Sequence, residues 1–192
     1  MARLSGAQII IRYLEKQGVR LISGIPGGAN LPLYDALATE SRIRHVLARH
    51  EQGAGFIAQG MARSTGTTGV CFATSGPGAT NVLTAIADAY LDSVPLVCIT
   101  GQVPGTLLGT DAFQEVDTYG MSVPITKHNY LVRSAKELLT ILPRAFYLAK
   151  SGRPGPVLID VPKNVQTEVI EFDGWPDETD SERALETGGA SI

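Results

Sequence analysis

"TTGVCFATSGPGATNVLTAIADAYLDSVPLVCIT", residues 67–100, contains two apolar runs, GVCFAT and LVCIT, separated by a glycine-rich turn and a helix-length segment. Neither run alternates apolar with polar residues. Continuous apolar strands of this kind are buried on both faces, as in parallel sheets covered by helices. Two parallel neighbours need a crossover of a dozen or more residues, and the segment between these runs has that length. The stretch therefore predicts a βαβ unit with a loop rich in small residues at the end of its first strand.

The same rhythm extends in both directions. Upstream, Ser5 is a candidate N-cap for a helix carrying Ala7, Ile10, Ile11 and Leu14 on one face, with Gly18 as its stop. "VRLISGIPGG" predicts a short strand running into a turn, and "LPLYDALAT" a helix that tolerates Pro32 in its first turn. "RIRHVLARH" predicts the next strand and residues 52–65 a long helix. Downstream come a Gly-rich polar loop over 102–120, a strand in "PITKHNYLV", a helix over 135–150 and a last strand in "GPVLIDVP". Pro143 is expected to kink or break that helix. Strands alternating with helices predict an α/β fold: a doubly wound, mainly parallel sheet with helices on both faces. In such sheets ligands bind beyond the carboxyl ends of the strands. "GIPGG", "RHEQGAG", "TSGPGATN", "TGQVPG" and "DVPKN" should therefore line one edge.

The 192 residues fit one domain over 1–170 and an acidic linker or tail over 171–192. That last segment holds seven Asp or Glu and one Arg, whereas the whole chain has a net charge of −3, so the rest is mildly basic. Its Arg and Lys residues are scattered, which excludes a nucleic-acid stripe. There is no apolar run long enough to span a membrane and no leader-like N-terminus, so a cytoplasmic protein is expected. Cys71 and Cys98 lie in apolar strands, where thiols behave as small hydrophobic groups and are expected to stay reduced. His45 and His128 lack metal-ligand spacing, and no Ser-His-Asp pattern appears. "SGPGATN" is neither a P-loop nor a dinucleotide fingerprint; it could cradle an anion or simply be a tight turn.

Glu51 is the sharper feature. It follows an apolar strand and precedes Gly53, Ala54, Gly55, Ala58, Gly60 and Ala62, so it should be poorly solvated and suited to proton transfer. An acid at that position is also what a helix dipole favours, and both readings fit the residues. His50 is adjacent, but neighbours on a strand point to opposite faces.

Seven blocks in order, "GIPGGANLPLYDAL", "RHEQGAGFIAQGMAR", "TSGPGATN", "TGQVP", "GTDAFQEVD", "ITKHNYLV" and "SGRPGPVLIDVPK", resemble the pyrimidine-binding domain of thiamine-diphosphate-dependent enzymes. More narrowly they resemble the large catalytic subunit of acetolactate (acetohydroxyacid) synthase, over residues 4 to about 170. The resemblance implies that Glu51 hydrogen-bonds N1′ of the cofactor's aminopyrimidine, the contact that lets the ring's own amine take the thiazolium C2 proton. It implies that Ile25, Pro26, Gly27, Thr74, Pro77 and Asn81 line the same site. Phe113, Gln114 and Lys163 would belong to a substrate channel for 2-keto acids, and Arg153 would contact FAD. Ile25 stands where related sequences often carry Tyr.

The family also uses Mg²⁺, held on a C-terminal domain whose Gly-Asp-Gly signature does not occur here. The chain is thus expected to be half a site within a longer, homodimeric synthase that makes the precursors of branched-chain amino acids, with a possible small regulatory subunit. A sister decarboxylase or a non-catalytic binding module are the alternative expectations.

Overall fold

The structure is a computed structural model and describes residues 2–175. Six parallel strands form one sheet: β2 (Leu21–Gly24), β3 (Arg44–Leu47), β4 (Gly69–Ala73), β5 (Leu96–Gln102), β6 (His128–Leu131) and β7 (Pro156–Pro162). Their spatial order is β3-β2-β4-β5-β7-β6, so the winding reverses between β2 and β4. Register runs straight across the centre, with Cys71 opposite Cys98 and Ile99 opposite Ile159. The expected doubly wound parallel sheet is the observed one.

Helices cover both faces. On one side lie α1 (Gly6–Lys16), α2 (Leu31–Glu40) and α6 (Leu138–Lys150), with large side chains such as Ile10, Leu14, Leu33, Leu142 and Phe146 packed on Val70, Phe72, Val97 and Ile159. On the other lie α3 (Glu51–Thr65) and α4 (Pro77–Leu91), whose Ala58, Ala62, Val82, Ile86 and Ala89 meet Cys71, Ala73, Cys98 and Leu158. Cys71 and Cys98 are free, buried thiols. Contact with Cys71 and burial push the Cys98 thiol's pKa up.

Ser5 caps α1 in a complete capping box: Gln8 N–H donates to Ser5 Oγ at 3.2 Å and Ser5 N–H to Gln8 Oε1 at 2.7 Å. Gly66 ends α3 in the left-handed conformation, φ 70°. Pro143 does not break α6, which runs through it. The apolar face of Leu138, Leu142, Ala145, Phe146 and Ala149 is buried along the whole helix, and that packing holds it continuous across the proline.

Four short elements escape the sequence pattern: β1 (Ala2–Ser5), α5 (Thr118–Ser122), α7 (Lys163–Thr167) and β8 (Val169–Phe172). β1 and β8 pair antiparallel, with Ala2 opposite Phe172. The boundary expected at 170 falls inside β8. Beyond it, Trp175 makes edge-on contacts with Tyr13 and Phe172 at 4.7 and 5.2 Å between ring centres. The rest of the expected acidic segment, 176–192, lies outside the described residues.

Candidate functional site at the carboxyl edge of the sheet

The loops after β2, β3, β4, β5 and β7 all leave the same edge, because parallel strands end on one side. Glu51 is the first residue of α3, so the strand β3 hands the chain directly to a helix start. His50 is the N-cap: its Nδ1 accepts from Gln52 N–H at 3.2 Å. Glu51 is half-buried. Its Oε2 accepts from Asn81 Nδ2 at 3.0 Å, and Asn81 is the one hydrogen-bond donor to this carboxylate among the described residues. Glu51 and Asn81 belong to neighbouring helices, so their meeting depends on how closely α3 and α4 pack.

That packing is very tight. A Cβ at Gly55 would lie 2.4 Å from Ala85 Cβ, and one at Gly69 would lie 2.3 Å from the Ala58 carbonyl oxygen. The small residues after Glu51 therefore bring α3 against both α4 and β4. Two buried polar side chains brace the arrangement. Gln59 Nε2 donates to the Ala85 carbonyl at 2.6 Å, and Ser23 Oγ donates to the Ala54 carbonyl at 2.6 Å.

The turn before α4 completes the cleft. Gly76 takes φ 57°, Pro77 is exposed in the first turn of α4, and Thr74 is nearly buried. Thr74 Oγ1 accepts from Ala29 N–H at 3.3 Å, which ties this turn to the Ile25–Gly28 loop. A Cβ at Gly27 would lie 2.6 Å from Thr74, and one at Gly78 would lie 2.6 Å from Thr74 Cγ2 and 3.3 Å from Glu51 Oε1. The two glycines thus let the turns close tightly on Thr74, and among the described residues no side chain or N–H donates to Glu51 Oε1. Gly28 and Gly53 open onto free space on the same edge.

Two residues that the sequence reading passed over organise this edge. Asn30, fully buried, accepts from Gly27 N–H at 2.7 Å and donates to the Ile25 carbonyl at 3.3 Å. An Asn closing a Gly-rich turn immediately before a helix is an N-cap pattern and could have been recognised. Here it closes the turn rather than capping the helix through its side chain. Gln166, also buried, donates to the carbonyls of Ala29 and Val161 at 2.7 and 2.8 Å, fastening the loop to α7.

Phe113 and Gln114 lie in the loop after β5, on the same edge. The Gln114 backbone rests on Gly76, where a Cβ would come within 2.6 Å of its carbonyl oxygen. Phe113 is 87% exposed. Lys163 is half-buried at the start of α7, directly beyond β7. Arg153 is elsewhere. It precedes β7, so it sits at the opposite, amino edge, with Nε donating to Ser93 Oγ at 2.7 Å and a terminal nitrogen to the Leu91 carbonyl at 2.8 Å. The edge thus brings together Ile25, Pro26, Gly27, Glu51, Thr74, Pro77, Asn81, Phe113, Gln114 and Lys163, and leaves Arg153 apart.

Of the remaining titratable groups, Tyr34 lies near enough for Glu51 to add to the burial that raises its phenol pKa. Burial lowers the pKa of His45 and, together with Arg144, that of His128, so both favour the neutral imidazole. Among the described residues no group of three His, Cys, Asp or Glu could hold a metal ion, and no helix is long and apolar enough to cross a membrane. Asp160 lies buried behind the edge, pushed up to about 7 by desolvation although Thr100 and Gln102 donate to it.

A family model described as "Thiamine pyrophosphate enzyme, N-terminal TPP binding domain" matches residues 4–121. The acetolactate synthase isozyme 1 large subunit of Escherichia coli is 65% identical over 174 residues, covering 91% of this chain and 31% of its own length. The acetolactate synthase large subunit of Corynebacterium glutamicum is 56% identical over 178 residues, covering 93% of this chain and 28% of its own. The isozyme 2 large subunit of E. coli is 55% identical over 172 residues, or 90% and 31%. The chain spans about three-tenths of the length of these curated relatives.

Proposed function

Because the chain belongs to the thiamine pyrophosphate enzymes and carries their N-terminal TPP-binding domain, we propose that it is the pyrimidine-binding half of an acetolactate synthase. In this reading it acts on 2-keto acids, condensing pyruvate with pyruvate or 2-ketobutyrate with loss of CO₂, in branched-chain amino-acid biosynthesis. The observation that carries the reading is the Glu51 carboxylate, steadied by Asn81 through one oxygen and leaving the other open beside Gly78.

The residues fit the aminopyrimidine end of thiamine diphosphate. When bound, the cofactor supplies the acidic carbon and the electron sink for decarboxylation and carbon–carbon bond formation. Glu51 would hold the proton at ring N1′, a task that needs a carboxylate fixed in position. Asn81 orients that carboxylate. The Ile25–Gly27 backbone and Thr74 would flank the ring, with Gly27 and Gly78 letting their turns pack closely on Thr74, and Pro77 would close the turn beside it. Phe113 and Gln114 would wall the approach of substrate, and Lys163 would meet its carboxylate by charge.

The finer partners follow the same reading. Mg²⁺ and the diphosphate would be held by a second domain of the complete enzyme. A second copy would supply that domain across a homodimer packed on α3 and α4, where Phe56 is partly exposed. FAD would contact Arg153 at the amino edge, away from the pyrimidine cleft. A small regulatory subunit and a cytoplasmic location complete the proposal.

The test is product analysis with the complete enzyme carrying this chain, supplied with pyruvate, thiamine diphosphate, Mg²⁺ and FAD. Acetolactate is expected. Acetaldehyde alone would assign the chain to a sister decarboxylase, and no turnover with intact cofactor binding would make it a binding module.

A further inference from the structure

The loop over residues 103–117 carries Phe113 and Gln114, and side chains hold it at three points. At its entry Gly105 N–H donates to Asn164 Oδ1 at 2.8 Å, next to Lys163. At its exit the Val116 carbonyl accepts from Gln102 Nε2 at 3.1 Å, and the same nitrogen donates to buried Asp160 at 3.0 Å. Between these anchors the Glu115 carboxylate folds back on its own loop. It accepts from the N–H groups of Gly109, of Thr110 at 3.2 Å and of Ala112 at 3.0 Å. Converging backbone N–H groups form the kind of concavity that proteins use to bind anions, and here the anion belongs to the chain itself.

The loop needs such a clamp. Asp111 and Gln114 adopt φ 57° and 60°, a left-handed conformation that residues with a Cβ disfavour. Glu115 gathers the amides on both sides of Asp111 and is the residue next to Gln114. The left-handed turn at Gln114 lays its backbone on Gly76, at the entrance to the helix that carries Asn81. Phe113 is left standing almost fully in solvent at the apex.

The geometry points to Glu115 as a positioning residue for substrate binding: its carboxylate folds residues 109–115 into one conformation against Gly76, and so sets where Phe113 and Gln114 stand beside the Glu51 cleft. This rests on the reading that Phe113 and Gln114 wall the substrate approach. Glu115 touches neither substrate nor cofactor and acts through the loop backbone. Those amide contacts hold its carboxyl below the usual carboxylate range, as charge-assisted bonds do.

The experiment compares wild type, Glu115→Ala and Glu115→Gln in the complete enzyme. It reads KM and kcat for pyruvate, the affinity for thiamine diphosphate, and hydrogen exchange at amides 109–112. In Glu115→Ala those amides are expected to exchange about tenfold faster or more, since local opening is no longer opposed. KM for pyruvate is expected to rise by roughly 10- to 100-fold, the scale of a small misplacement of binding groups. Thiamine diphosphate affinity and Tm should stay near wild type. Glu115→Gln, which keeps one acceptor oxygen, should fall between.

Unchanged exchange would show that Glu115 is not the clamp. Faster exchange with an unchanged KM would show that the loop's position does not matter to substrate. Cofactor affinity falling in step with KM would move the role to the pyrimidine cleft. Each of these overturns the proposal. A wild-type enzyme without any product from pyruvate would instead bring down the functional reading, and the substrate role with it, while exchange at 109–112 still decides the clamp.

Discussion

The two faces of the sheet are packed by different means. Under α1, α2 and α6 the contact is made by Ile, Leu and Phe side chains such as Ile10, Leu33, Phe72 and Phe146. Under α3 and α4 Ala, Gly, Val and Cys predominate, with Ile86 and Leu158 among them. Large interlocking side chains stabilise a fold but hold helix axes apart, at the 8–10 Å usual for packed helices. Small ones bring backbones together. On the second face this closeness puts the start of α3 within hydrogen-bonding reach of α4, which is how Glu51 meets Asn81. The large-residue face supplies most of the bulky packing, and the small-residue face sets the Glu51–Asn81 pair.

Four substitutions separate these roles. The largest effect is expected from Glu51→Gln in the complete enzyme: activity should drop by roughly 10²–10⁴-fold, the usual worth of a positioned proton-transfer group. Circular dichroism and Tm should be nearly unchanged, since Glu51 is only half-buried at a helix start. Near-normal turnover would remove Glu51 from the chemistry. Next, Phe146→Ala on the large-residue face should destabilise the fold by about 3–5 kcal/mol, read from urea unfolding. Its cofactor affinity, measured at low temperature where the variant is folded, should match wild type.

Gly55→Ala should instead lower stability and binding together. Its new Cβ would sit 2.4 Å from Ala85 Cβ, so α3 and α4 must part. A loss of about 1–3 kcal/mol is expected, accompanied by weakened thiamine diphosphate binding. If binding holds while stability falls, close packing is not what sets the cleft.

The smallest effect concerns Asp160, which lies on the small-residue face where apolar Cys98 and Leu158 give way to Thr100 and Gln102. In the folded chain Asp160 keeps its proton to about pH 7, against 3.8 for an unperturbed group. The folded state therefore binds more protons across that window, and this group's contribution to stability declines as pH rises through it. Asp160→Asn should flatten the decline in a series of urea midpoints between those two values. An unaltered slope would place the titration elsewhere.

The legibility of the molecule followed the same physical divide. β4 and β5 could be read directly because central parallel strands must be apolar on both faces. Glu51 stood out as a carboxylate among Gly and Ala, but a helix start favours an acid too, so its role was legible only through the family resemblance. β1 and β8 could not be read: each is four residues long, too short to establish a period, and β1 does not alternate in exposure. α6 was expected to yield at Pro143, and its packing overrode the local rule. Gln59 and Gln166 act through contacts with residues distant in sequence, and polar residue types alone do not disclose such partners. The loop clamp was hidden for a related reason: Glu115 has no unusual neighbours in sequence, and only the fold turns it back on its own amides.

The short ladder between β1 and β8 has a mechanical consequence. Ala2 faces Phe172 and Ser5 faces Val169, so tension between residues 2 and 172 pulls on the same end of both strands. The ladder would then open rung by rung, like a zipper, and each step would load one pair at a time. The six-stranded sheet would bear no load until the last rung had parted. A pulling experiment should record an early, low-force extension as a separate event before the main rupture.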